Sequence, residues 1–109
     1  MERPGHENCP CMETCPLNRA LGLIGGKWKM QILCALSNNG PTRYNRLKKT
    51  LDGVSDTVLA NALRELEEDG LVLRREYLEV PVRVEYEITA PSRALVPILD
   101  RLGDWSMGL

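Results

Sequence analysis

The stretch VSDTVLANALRELEEDGLVLRR, residues 54–75, decides how the rest of the chain reads. Ser55 offers a hydroxyl N-cap, and Leu59, Leu63 and Leu66 recur at the four-then-three spacing of one helical face. That face predicts a core contact. Thr57, Asn61 and Arg64 occupy the opposite face at the same spacing. They are short or bidentate hydrogen-bonding groups toward the N-terminal half, where a groove-entering helix carries the side chains that reach base edges. Gly70 supplies the left-handed residue that stops a helix, and Leu71 to Tyr77 begins a β-rich stretch.

Upstream, Tyr44, Leu47 and Leu51 lie at i, i+3 and i+7 on a helix expected from Arg43 to Leu51, and Asp52-Gly53 makes a tight turn. Helix, short turn and capped helix in this order predict a helix-turn-helix, whose first helix crosses the DNA backbone while the second reads the groove. Further upstream, Pro16 suits the first turn of a short helix bearing Leu17, Ala20, Leu21 and Ile24, ended by Gly25 and Gly26. Trp28, Met30, Ile32, Leu33, Cys34, Ala35 and Leu36 predict a second helix, apolar nearly all round and therefore central. Asn38 to Pro41 stop it.

Downstream, Val82, Val84, Tyr86 and Ile88 alternate with Arg83, Glu85 and Glu87, the period of a half-buried strand. With Leu71 to Tyr77 this predicts a hairpin, and Arg74, Arg75 and Arg83 flank it as a basic wing. Thr89 is positioned to cap a last helix, with Pro91 in its first turn and Pro97 expected to kink or split it. Leu95, Ile98, Leu99, Leu102 and Trp105 form an apolar stripe there. With Leu17 and Leu21 of the first helix, they are the candidate dimer interface, since a dimeric helix-turn-helix matches a palindromic site. The fold class is mainly α (α+β): a winged helix-turn-helix with a two-stranded β wing and terminal dimerisation helices.

At 109 residues the chain reads as residues 1–15, a Cys-containing arm, and residues 16–109, one DNA-binding and dimerisation domain. Its 43% hydrophobic and 27% charged composition fits a globular protein. Met1 to Cys15 has no apolar core of a secretory signal, so a reducing cytoplasm is the expected location, and no stretch suggests a membrane span. The net charge of −1 excludes a uniformly basic nucleic-acid binder. The distribution is uneven: residues 27–51 hold six basic residues (Lys27, Lys29, Arg43, Arg46, Lys48, Lys49) and no acid. Acids gather instead at Glu65, Glu67, Glu68 and Asp69.

Candidate DNA contacts follow. Arg43, Arg46, Lys48 and Lys49 would hold phosphates, Thr57, Asn61 and Arg64 would face bases, and Arg74, Arg75 and Arg83 would serve the wing. Ser55 and Asp56 join the candidate contacts, although capping is the role their position favours.

The chain resembles the HxlR-type winged-helix transcriptional regulators, relatives of the MarR-like repressors, from Cys15 to about Trp105. The resemblance rests on Cys15-Pro16, Ile24-Gly25-Gly26-Lys27-Trp28, Arg43-Tyr44-Asn45-Arg46-Leu47, Leu63-Arg64-Glu65-Leu66-Glu67, Asp69-Gly70-Leu71-Val72 and the wing from Glu79 to Tyr86. It implies a homodimer joined through its terminal helices and a transcription factor, often autoregulatory or acting on a neighbouring gene. Val82 stands where the family commonly has a second proline, and Cys9 and Cys11 are additions that its pattern does not require.

The resemblance also implies that Cys15 senses oxidants or electrophiles, as the aligned cysteine does in several members. Its place before the first helical turn would favour the thiolate. Oxidation would link it to Cys9 or Cys11, or to a thiol across the dimer. The plainer alternative is a semi-exposed helix-cap cysteine without regulatory duty. His6, Cys9, Cys11 and Cys15 could together attract zinc or copper(I), but their spacing is not that of a paired zinc knuckle, so neither metal nor cofactor is expected. Cys34 reads as core.

Gly25-Gly26-Lys27 is not a phosphate-binding loop, because Trp28 stands where Ser or Thr must hold magnesium. His6 is the lone histidine and lies in the arm, so an enzyme is not expected. The rival from another class is a winged-helix protein-interaction module, which a weak salt dependence of DNA binding would reveal.

Overall fold

The structure, a computed structural model, describes residues 15–109. In chain order the elements are α1 (Pro16–Ile24), α2 (Lys29–Asn39), β1 (Thr42–Arg43), α3 (Tyr44–Thr50), α4 (Asp56–Glu68), β2 (Val72–Tyr77), β3 (Arg83–Ile88) and α5 (Ala90–Met107). Helix, turn, helix and hairpin thus follow in the expected order, and the fold is a winged helix-turn-helix.

Helix α4 shows how local chemistry sets its limits. The Val58 amide donates to Ser55 Oγ at 3.2 Å, satisfying one of the orphan donors of the first turn. At the other end Gly70, at φ 77°, lets the Leu71 amide reach the Leu66 carbonyl (2.8 Å) and its own amide reach the Glu67 carbonyl (3.1 Å). This is a Schellman closure, with Leu66 and Leu71 both buried as its hydrophobic contact. Leu59, Ala62, Leu63 and Leu66 enter the core, where they meet Ile32, Leu33, Ala35 and Leu36 of α2 and Leu47 of α3. Helix α2 is the central helix, packing against α3, α4, α5 and β3.

The wing hairpin pairs β2 with β3 antiparallel, from Val72 opposite Ile88 to Tyr77 opposite Arg83. Beyond the expected two strands, Thr42 and Arg43 add a short third on the far side of β3, giving the order β1-β3-β2. Arg43 is therefore extended and precedes α3 instead of opening it. Thr42 is buried, and its hydroxyl donates to the Gly40 carbonyl at 2.7 Å.

One expectation about α5 is corrected and another narrowed. Thr89 sits at the N-cap, but its side chain makes no capping bond; its hydroxyl donates instead to the Gly70 carbonyl at 2.7 Å. Ser92, fully buried, donates to the Leu71 carbonyl, so the start of α5 is fastened to the turn that closes α4. Pro97 does not split the helix, which runs unbroken for 18 residues. Pro97 lies on the exposed side, where water can satisfy the carbonyl that its missing N–H leaves without a donor.

Candidate nucleic-acid interface

Thr57, Asn61 and Arg64 are all exposed along the outward side of α4. Arg64 has only a 3.5 Å contact to Glu68 one turn on, between two exposed side chains. Such a pair contributes about 0.5 kcal/mol or less and leaves the guanidinium available to a ligand.

One flank of α4 is held by α3. Tyr44 Oη donates to Asp56 Oδ1 at 3.0 Å and to the Asp56 carbonyl at 3.2 Å, and Lys48 Nζ lies 3.2 Å from the same carboxylate. Lys48, and after it the Tyr44 hydroxyl, holds the Asp56 carboxyl below the usual carboxylate range. Burial, then the hydrogen bond to Asp56, pushes the Tyr44 phenol up. Asp56 is thus a clasp between the two helices, Ser55 is a cap, and Lys48 is shared with Asp56. Among the described residues Arg43, Arg46 and Lys49 have no carboxylate partner. They line a groove of about 530 Å³ between α3 and the wing, with Asn45, Val82 and Arg83.

The wing is a correction. Arg74 lies 3.4 Å from Glu76, Arg75 pairs with Glu87, and Arg83 lies 2.8 Å from Glu79 and 3.2 Å from Glu85, with its guanidinium 4.0 Å from the Tyr77 ring centre. Residues 72–88 carry three arginines and four glutamates, so the expected basic wing is close to neutral. Register accounts for one of these pairs, since Arg75 faces Glu85 across the ladder with Glu87 on its diagonal. Arg74 and Arg83 instead meet Glu76 and Glu85 two residues along their own strands, and Arg83 also meets Glu79 at the tip.

The other flank of α4 meets the α1–α2 connection and the first residue of α2. Lys29 Nζ lies 2.7 Å from Glu65 Oε1 and depresses the Glu65 carboxyl. Sequence reasoning placed Glu65 among surface acids and missed this tie, since nothing in local spacing links residues so far apart. The Lys27 ammonium sits 4.7 Å from the Trp28 ring centre. Together with Asn61 and Glu65, this loop borders a cavity of about 290 Å³.

Cys15 stands at the N-cap of α1, buried at 5% exposure instead of semi-exposed, and its side chain makes no capping bond. Cys34 is half-buried on α2; burial and then Asp100 push its thiol up. His6, Cys9 and Cys11 lie outside the described residues, and no group of three or more potential metal ligands occurs within them. The expected dimer stripe divides in two. Leu99 is buried and Leu95 packs against the core, because a spacing of four keeps both on the inner side of α5. Ile98, Leu102 and Trp105 are exposed, as are Leu17 and Leu21 on α1. Among the described residues no helix is long and apolar enough to cross a membrane.

Comparison with known proteins matches this architecture. The HxlR-like helix-turn-helix family matches residues 23–109. An uncharacterized HTH-type transcriptional regulator of Halalkalibacterium halodurans is 42% identical over 96 residues, spanning 88% of this chain and 85% of the relative. Among solved structures, the redox regulator HypR in its oxidized form superposes with a TM-score of 0.80 at 36% identity, covering 87% of this chain and 97% of that one. The reduced form of the transcriptional regulator YodB from B. subtilis superposes with a TM-score of 0.76 at 32% identity, covering 85% and 91%. With its open α4 face, its wing and these relatives, the chain belongs to the HxlR-like helix-turn-helix family of transcriptional regulators.

Proposed function

We propose that this chain is a homodimeric, sequence-specific repressor of transcription that acts in the cytoplasm on palindromic duplex DNA. The observation that carries this reading is the outward face of α4, open along Thr57, Asn61 and Arg64, together with three cations that have no carboxylate partner among the described residues, Arg43, Arg46 and Lys49. Asn61 can pair bidentately with adenine and Arg64 with guanine, while the three cations hold phosphates. Two copies joined through Leu17, Leu21, Ile98, Leu102 and Trp105 would present their α4 helices to half-sites about 34 Å apart. These apolar side chains are exposed on a single copy, which favours a partner.

The test is selection of duplexes from a random pool, followed by affinity measured against salt. A palindromic consensus and a steep loss of affinity with ionic strength are expected. A shallow slope would turn the reading toward a protein-interaction module, and a monomer in solution would remove the two-site geometry.

Thiol regulation is the second part of the proposal, supported by the likeness to the redox regulator HypR and by Cys15 at the start of a candidate interface helix. Two thiols, Cys15 and either Cys9, Cys11 or a thiol of the second copy, would form one disulfide. They give up two electrons and two protons to a peroxide, which is reduced to water. Cys15→Ser should abolish the response of DNA binding to peroxide; an unchanged response would refute the role.

A further inference from the structure

We infer that Lys27, carried on Trp28, is a second phosphate anchor, on the opposite side of α4 from the α3 cations. This inference rests on the reading of α4 as the helix that enters the major groove. Asp56 ties α4 to α3, and Glu65 ties it to Lys29, the first residue of α2. The two acids are nine residues apart, two and a half turns at about 3.6 residues per turn, and so lie on opposite sides of the helix. The exposed face with Thr57, Asn61 and Arg64 runs between them. A helix seated in a major groove has one phosphate backbone at each wall. Arg43, Arg46 and Lys49 can serve one wall only.

At the other wall the charges are Lys27, Lys29 and Glu65. Lys29 is joined to Glu65 at 2.7 Å, which leaves the charge of Lys27 without a carboxylate among the described residues. Trp28 packs against the core, and its ring holds the Lys27 ammonium at 4.7 Å, so an exposed lysine has a fixed seat. Asn61 borders the same cavity as Lys27 and Trp28, which places this cation next to the base-facing positions of α4.

The experiment measures binding of the full chain to a labelled mixed-sequence duplex and to a selected duplex across a range of salt. Wild type is compared with Lys27→Gln, Lys27→Arg and Arg46→Ala. Lys27→Gln should weaken both duplexes alike and flatten the salt slope by about one, a roughly fourfold smaller change between 50 and 200 mM salt. Lys27→Arg should restore the wild-type slope, and the melting temperature of Lys27→Gln should match wild type because the side chain is exposed. If Arg46→Ala flattens the slope and Lys27→Gln does not, this anchor is refuted while the DNA-binding reading stands. If wild type itself shows a shallow slope, that reading fails as well.

Discussion

The approach to α3 and the β2–β3 hairpin use the same kinds of side chain to different ends. Arg43, Arg46 and Lys49 stand without carboxylates among the described residues, in a stretch that contains no acid from Lys27 to Leu51. Arg74, Arg75 and Arg83 each pair with a glutamate. One diagonal pair across the ladder and neighbours two to four residues along the chain supply these glutamates, so the wing's cations are already paired before any ligand arrives. Cation number alone therefore does not describe the potential that a phosphate meets. The placement of neighbouring acids decides it. Exposed ion pairs contribute only about 0.2 to 1 kcal/mol, so DNA could still exchange the glutamates for phosphates. It would gain less there than at α3.

Stability should separate the two regions most sharply. Leu47 is fully buried beneath α3, and Leu47→Ala should cost about 2 to 5 kcal/mol in denaturant unfolding. Leu78 at the wing tip is 92% exposed, and Leu78→Ala should stay within about 0.5 kcal/mol. Equal losses would mean that the wing tip is packed in solution. Binding comes next. Asn61→Ala should weaken a selected duplex by about 1 to 3 kcal/mol and leave mixed-sequence affinity unchanged, as read by fluorescence anisotropy. Equal loss on both would move Asn61 from reading bases to positioning.

The charge comparison itself is tested by paired double variants. Arg43→Ala with Arg46→Ala should flatten the salt slope by about two and weaken every duplex. Arg74→Ala with Arg75→Ala should flatten it by less, because each wing phosphate contact first releases a glutamate. If the wing pair costs as much, the ion pairs of the hairpin do not persist in solution.

What the sequence disclosed follows from periodicity. The leucine spacing of α4, the Ser55 cap and the Gly70 stop are local, and each was legible without tertiary information. So was the alternation of β3. The parts that could not be read depend on partners remote in sequence. β1 is two residues long and exists because Thr42 pairs with Tyr86 and Arg43 with Glu85. The Lys29–Glu65 tie spans two helices, and the Arg75–Glu87 pair depends on strand register. Leu95 and Leu99 illustrate the same limit on one helix. An apolar stripe announces burial, but only packing shows which residues serve the home core and which remain for a second chain.

The smallest effect expected concerns the two clasps on α4, and it sharpens the contrast between paired and unpaired charge. Asp56 and Glu65 both have carboxyl groups depressed by a neighbouring lysine, Lys48 and Lys29 respectively. A depressed carboxyl contributes stability that is present above its unfolded value, near 4 for Asp and Glu, and is lost as pH falls through the lower folded value. Acid below about pH 4 should therefore loosen both flanks of α4. Unfolding midpoints of wild type and of Asp56→Asn with Glu65→Gln should lie apart at neutral pH and converge in acid. A gap that persists at low pH would show that the two side chains hold α4 by packing or neutral hydrogen bonds instead of charge.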